Sequence, residues 1–212
     1  MSVDSATSVQ AQTETYDDVS DVIEIRWHGR AGQGAKTGAL LVGEAASGAG
    51  RYIQAFPEYG PERMGAPVVA YNRISREPIT LHCGIESPRY VVILDTTLAG
   101  QIDLTAGVPD GGALIVNASW TPAEAREKLG VTNPAVRVYT VDATAISLEH
   151  IGRPIPNTPM LGALNRVAGL LDIDSLLESV RKKLEQRFRN RPEVVEGNVQ
   201  AVKVAYEEVQ GE

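Results

Sequence analysis

Two short runs, "YVVILD" (Tyr90–Asp95) and "GGALIVN" (Gly111–Asn117), constrain the fold of this chain more than anything else in its 212 residues. Each is almost continuously apolar, so neither has a side to turn toward water. Such a strand is stable when both faces of its sheet are covered, as in parallel sheets flanked by helices. The rest of the chain supplies that alternation. "VIEIRWH" (22–28), "RYIQAF" (51–56) and "AVRVYTVDA" (135–143) read as further strands. "AKTGALLVGEAASGAG" (35–50) reads as a helix of small residues closed by Gly48 and Gly50, and "TPAEAREKLG" (121–130) carries a full helix grammar. In the latter, Thr121 is the N-cap, Pro122 takes the first helical position, Glu124 closes the capping box and Gly130 lies beyond the end.

Three more helices follow. "NTPMLGALNRVAGLL" (157–171) starts at Thr158 and Pro159 and is apolar on most of its circumference. "SLLESVRKKLEQRF" (175–188) opens on a second capping box, Ser175 with Glu178, and "NVQAVKVAYEEV" (198–209) is the last. "VVAYNRIS" (68–75) and "ITLHCG" (79–84), joined by Arg76-Glu77-Pro78, read as a β-hairpin, and "PEYGPERMGAP" (57–67) as an irregular loop. The expected fold is a three-layer, Rossmann-like α/β domain over residues 22–212, its sheet mostly parallel with one antiparallel hairpin. Met1 to Asp21, rich in Ser, Thr, Gln and Asp, has too little to bury and reads as a disordered tail.

One turn departs from economy. Between Gly29 and Gly38 the chain places four glycines directly behind the first strand. Glycine costs roughly 0.5–1 kcal/mol relative to alanine inside a regular element, so a cluster marks a sharp turn or a close approach. "HGRAGQGAKT" is no ATPase phosphate loop. Gly29 and Gly34 have the right spacing, but Ala35 intrudes before Lys36 and turns that lysine by about 100° on the helix. The dinucleotide fingerprint is met only as Gly32-Gln33-Gly34 with Thr37 in the last place, and Glu58 is the only acid near the expected distance. What survives is a strand, a glycine turn and a helix N-terminus with free N–H groups, a geometry suited to a phosphate or another anion. Tight strand–helix packing is the competing reading of the same glycines.

The turn has company. "FPEYGPERMGAPVVAYNRIS" (56–75), "VVILDTTL" (91–98) and "IPNTPMLGAL" (155–164) follow it in order, and together they resemble the gamma subunit of 2-oxoacid:ferredoxin oxidoreductases of the pyruvate type. The resemblance runs from Ile23 to Glu208, departing at Ala31, where the family usually has glycine. It implies a multi-subunit enzyme in which thiamine diphosphate, with Mg, decarboxylates a 2-oxoacid, iron–sulfur clusters pass electrons to ferredoxin, and coenzyme A takes the acyl group. The implied partners are alpha, beta and ferredoxin-like delta subunits. The gamma unit is implied to cover the active site, bind coenzyme A and aid assembly, without catalytic residues or metal of its own.

The sequence agrees with that division. Its single cysteine, Cys83, excludes an all-cysteine cluster site within the chain, and there is no thiamine-type G-D-G…N-N pattern. A net charge of −7 disfavours a nucleic-acid role. No apolar run approaches the ~20 residues of a membrane span, and the N-terminus lacks a signal-peptide pattern, so a cytoplasmic location is expected. Candidate coenzyme A contacts are Gly29, Arg30, Ala31, Gly32, Gln33, Gly34 and Thr37 on the turn, with Arg63, Asn157 and Thr158. Arg63 has an alternative as an ion pair to Glu58 or Glu62, and Thr158 as a plain N-cap. Cys83 is expected to be a buried small hydrophobe, Met160 a core or interface residue, His28 a hydrogen-bonded structural histidine, and Trp27 and Trp120 anchors. The rival functions are a free-standing nucleotide-binding dehydrogenase and a purely structural subunit of a coenzyme A-independent relative.

Overall fold

The computed structural model describes residues 22–58 and 65–212. The N-terminal tail and Arg63 lie outside the described residues. In chain order the elements are β1 (Val22–Arg30), α1 (Ala35–Gly48), β2 (Tyr52–Glu58), β3 (Pro67–Ser75), β4 (Tyr90–Ile93), β5 (Ala113–Asn117), α2 (Pro122–Lys128), β6 (Arg137–Val141), α3 (Ala143–Ile151), α4 (Asn157–Ala168), α5 (Ile173–Arg187), α6 (Pro192–Glu208) and β7 (Gln210–Gly211). A single 3₁₀ turn, Thr96–Leu98, follows β4. The strands form one sheet in the order β2-β3-β1-β4-β5-β6-β7. β1, β4, β5 and β6 are mutually parallel, and β2 runs with them; only β3 and β7 are reversed.

The apolar runs behave as their patterns require. In β4, Tyr90 and Val92 face one core while Val91 and Ile93 face the other; in β5, Ala113 and Ile115 divide from Leu114 and Val116 in the same way. Fully burying a side chain of this size is worth about 1.5–3 kcal/mol, so no polar side was affordable in these strands. The first core is large: Ile25, Trp27 and Ile115 of the sheet meet Val42, Ala46, Met160, Leu164, Leu176 and Val202 from four helices. The second is thin, with Leu98, Leu104, Ala125 and Val131 covering the strands from the 3₁₀ turn, loops and the short α2. The three layers are therefore unequal.

Small residues set how tightly the thick layer packs. A Cβ on Gly162 of α4 would overlap the Val202 carbonyl oxygen of α6. Trp27 is wholly buried, its indole N–H donating to Asn72 Oδ1 at 2.9 Å, while Asn72 Nδ2 donates to the Ala39 carbonyl at 2.7 Å. One buried amide thus joins β1, β3 and α1. Met160 lies wholly in the core, as expected, and Trp120 packs on the thin core with the Lys128 ammonium 4.3 Å from its ring centre.

Several expectations need correction. The hairpin partner of β3 is β2, paired from Tyr52–Ser75 to Glu58–Val69, so Pro57, Glu58 and Pro67, expected in the irregular loop, belong to the strands, and residues 59–66 connect them. "ITLHCG" is not a strand: the Arg73 guanidinium captures its backbone, donating to the carbonyls of Cys83 at 2.9 Å and Gly84 at 2.8 Å. Cys83 is consequently exposed rather than buried. α4 begins at Asn157 behind Pro156, so Thr158 is not its N-cap but a buried first-turn residue. α5 is capped by Asp172, whose carboxylate accepts from Ser175 N, rather than by Ser175. α3 lay hidden behind the end of β6; Asp142 caps it by accepting from Ala145 N. The Thr121–Glu124 capping box is formed as the sequence predicts.

Candidate functional site

β1 and β4 are parallel neighbours whose chains depart in opposite directions. After β1 the chain rises into α1 on the thick layer and proceeds to β2; after β4 it enters the 3₁₀ turn and proceeds to β5 on the other side. Open α/β sheets bind ligands in the crevice that such a divergence opens at the carboxyl ends of the strands. The glycine turn lies at this position. Gly32 and Gly34 take the left-handed conformation, φ 103° and 84°, which explains two of its glycines directly. Gly34 is the N-cap of α1 and provides no side-chain cap, leaving the first N–H groups of a 14-residue helix without one.

Around the turn the polar side chains hold one another. Gln33 Oε1 accepts from Arg30 N at 2.7 Å, and its Nε2 donates to Asp95 Oδ2 at 2.6 Å. The Arg30 guanidinium donates to Thr97 Oγ1 and to the Gly65 carbonyl, and stands 3.4 Å from Asp95. Asp95 also accepts from Thr97 N and Oγ1, at 2.9 and 2.6 Å. Burial alone would raise the Asp95 carboxyl, but the hydrogen bonds from Thr97 and Gln33 and the charge of Arg30 outweigh it and hold the group below its ordinary range. Ala31 is tied by its N–H to the Ala66 carbonyl at 2.9 Å. On the next strand, Asn117 donates to the Leu94 carbonyl and Thr144 Oγ1, bracing the far wall.

The N-terminus of α4 closes on the same point. Asn157 and Thr158 are buried, and α4, like α1, has no side-chain cap. The Asn157 amide lies so close to Gly34 that a Cβ there would sit 2.7 Å from Nδ2 and 2.8 Å from Cγ. The structure therefore gathers Gly29, Arg30, Ala31, Gly32, Gln33, Gly34, Thr37, Asn157 and Thr158 at one end of the sheet. Asp95 and Thr97 belong to the group; both lie in the "VVILDTTL" stretch, where Asp95 ends a buried strand, but neither is among the contacts expected from sequence. His28, one residue below the turn, is buried, but neither ring nitrogen has a hydrogen-bond partner among the described residues, contrary to the structural role expected for it. Burial, aided by the Arg26 charge, lowers its pKa to about 4, so it is neutral at physiological pH.

The geometry defines an open, mostly parallel α/β domain with a crevice between β1 and β4. A family model described as pyruvate ferredoxin/flavodoxin oxidoreductase matches residues 24–208. The chain is 46% identical over 188 residues to pyruvate synthase subunit PorC of Thermotoga maritima, covering 88% of this chain and 94% of that protein. It is 42% identical to the pyruvate/ketoisovalerate oxidoreductases common subunit gamma of Pyrococcus furiosus, over 89% of this chain and 98% of that one. The crystal structure of the Thermotoga maritima subunit aligns with a TM-score of 0.78 and 42% identity, covering 91% of this chain and 99% of that one. A 2-oxoglutarate:ferredoxin oxidoreductase from Magnetococcus marinus, solved with 2-oxoglutarate, coenzyme A and succinyl-CoA bound, shares the fold at a TM-score of 0.69 and 19% identity, over 88% of this chain and 31% of that one. The chain belongs to the pyruvate ferredoxin/flavodoxin oxidoreductase family, as a gamma-type subunit.

Proposed function

We propose that this chain is the non-catalytic subunit that receives coenzyme A in a complex oxidising a 2-oxoacid, with pyruvate as the default substrate. The thiamine diphosphate, Mg and iron–sulfur clusters then reside in alpha, beta and delta partners, and electrons leave to ferredoxin. One observation carries the coenzyme A assignment: two helix N-termini without side-chain caps, those of α1 and α4, converge at Gly34 and Asn157 in the switch-point crevice. Their dipole ends and backbone N–H groups suit the phosphates of an otherwise neutral, elongated coenzyme. Thr37 and Thr158 add hydroxyls to the same region. Arg30 is spoken for by Thr97, Gly65 and Asp95, and contributes positive potential rather than a free donor.

A second reading has its own support. Gln33, Arg30 and Asp95 are mutually satisfied, and Gly34 is needed for the Asn157 contact, as a packing role for the glycines requires. Gly32 separates the two readings, because a Cβ there would meet nothing within 4 Å. Gly32→Ala thus leaves the packing intact and adds a backbone strain on the order of 1–2 kcal/mol. It also places a methyl group over the turn. With one or two hydrogen bonds to a charged phosphate lost, the Michaelis constant for coenzyme A in the assembled complex is expected to rise roughly ten-fold or more. Formation of the acyl-level intermediate without coenzyme A is expected to be unaffected. An assembled variant with unaltered coenzyme A dependence would return the glycines to packing alone.

A further inference from the structure

Asn157 is an anomaly at the point where two helices begin. It is only 4% exposed, yet its Oδ1 is buried with no hydrogen-bond partner among the described residues. A buried amide in that condition is less stable than one that is either fully paired or solvated. Its neighbours offer it little. α4 opens with Asn157, Thr158 and Pro159, and proline has no N–H to give. On the α1 side the amide is pressed against the Gly34 backbone, within 2.7–3.2 Å of where a Cβ would stand. It therefore lies against the residue that caps α1, a cap position that supplies no side chain.

Resting on the coenzyme A reading above, we propose that Asn157 is a displaceable plug of the phosphate cradle. In this conformation its neutral amide fills the junction of the α1 and α4 N-termini. A phosphate reaches the α1 N–H groups only when the Asn157 side chain rotates off Gly34. The unpaired Oδ1 makes that exit easy, since the carbonyl gains partners by leaving. The plug also selects for charge: a doubly ionised phosphate gains from both helix termini at once, whereas a neutral ligand gains too little to displace the amide.

The test uses the assembled complex and three variants, with Kd measured for coenzyme A and inorganic pyrophosphate and the Michaelis constant measured for coenzyme A. Asn157→Ala removes the plug, and coenzyme A and pyrophosphate are expected to bind roughly three- to ten-fold tighter. Asn157→Asp installs a resident carboxylate between the two N-termini; it is expected to raise the melting temperature and to weaken both ligands by ten-fold or more. Asn157→Ser, smaller but still polar, is the substitute if the alanine variant fails to assemble, and is expected to tighten binding in the same direction. Weaker or unchanged binding in Asn157→Ala, with Gly32→Ala still raising the coenzyme A constant, would overturn the plug while the site stands. No response to coenzyme A in any of the Asn157 variants or in Gly32→Ala would remove the site and the plug together.

Discussion

At the scale of single residues, the charge state of a buried group shapes how this subunit responds to acid. His28 is neutral when folded, with its pKa lowered to about 4 by burial and by Arg26, whereas an unfolded histidine titrates near 6.5. Between those values the unfolded chain binds the extra proton, so stability is full above about pH 6.5 and declines as pH falls toward 4. The loss approaches about 3 kcal/mol at one proton over some 2.5 pH units. His28→Leu is expected to flatten that slope in urea denaturation series at pH 7, 6 and 5; an unchanged slope would assign the acid sensitivity elsewhere. Asp95 acts lower on the scale: with its folded pKa depressed, its contribution is complete above about pH 4 and fades only below it. The left-handed glycines of the turn were legible from sequence, because few other residues fit there. The partners of Gln33 and Arg30 were not, because Asp95 and Thr97 lie more than sixty positions away and meet them only through the β1–β4 pairing.

Among the elements, the tightest crossing is that of α4 with α6, and Gly162 permits it. Gly162→Ala would normally favour a helix, since alanine is the best helix former. Here the methyl group meets the Val202 carbonyl, and forcing the helices apart costs about 1–3 kcal/mol. For a domain of this size the melting temperature is expected to fall by roughly 3–10 °C; an increase would show that the crossing relaxes freely. The sheet strands and most helices could be read from the chain because each obeys a local rule: the double-sided apolar run, the capping box, the amphipathic stripe. The hairpin was misassigned for the opposite reason. "ITLHCG" has the look of a strand, but β3 finds hydrogen-bond partners on both sides in β1 and β2, and Arg73 takes up the carbonyls of the segment. A side chain binding backbone across ten residues leaves no trace in periodicity.

For the molecule as a whole, the described part forms one sheet with two cores from Val22 to the end of the chain, and no helix among the described residues is long and apolar enough to cross a membrane. Met1–Asp21 adds few apolar side chains that either core would need. Deleting it is expected to leave the melting temperature within a few degrees, checked by calorimetry of the purified chain. A large drop would mean that the segment packs against the domain. Intact melting with failed complex assembly would identify it as a docking arm. The fold class was legible because alternation of elements is a property of the whole chain. The inequality of the layers was not, because the cover of the thin core comes from a 3₁₀ turn, the short α2 and loop residues such as Leu104 and Val131 rather than from long helices.

The position of Trp27 gives the subunit an optical reporter at its most informative point. Its indole is sealed from water, bonded to Asn72, and lies against Gly38, four residues into the helix that begins at the glycine turn. Trp120, the second tryptophan, sits on the opposite layer beside Lys128 and is only partly buried. Emission from the two is therefore separable by quencher accessibility: acrylamide reaches Trp120 first, and the protected, blue-shifted fraction belongs to Trp27. A displacement of α1 against β1 changes the intensity of that fraction alone, so the motions of the turn can be followed in the unlabelled protein, in real time, with nothing attached to it.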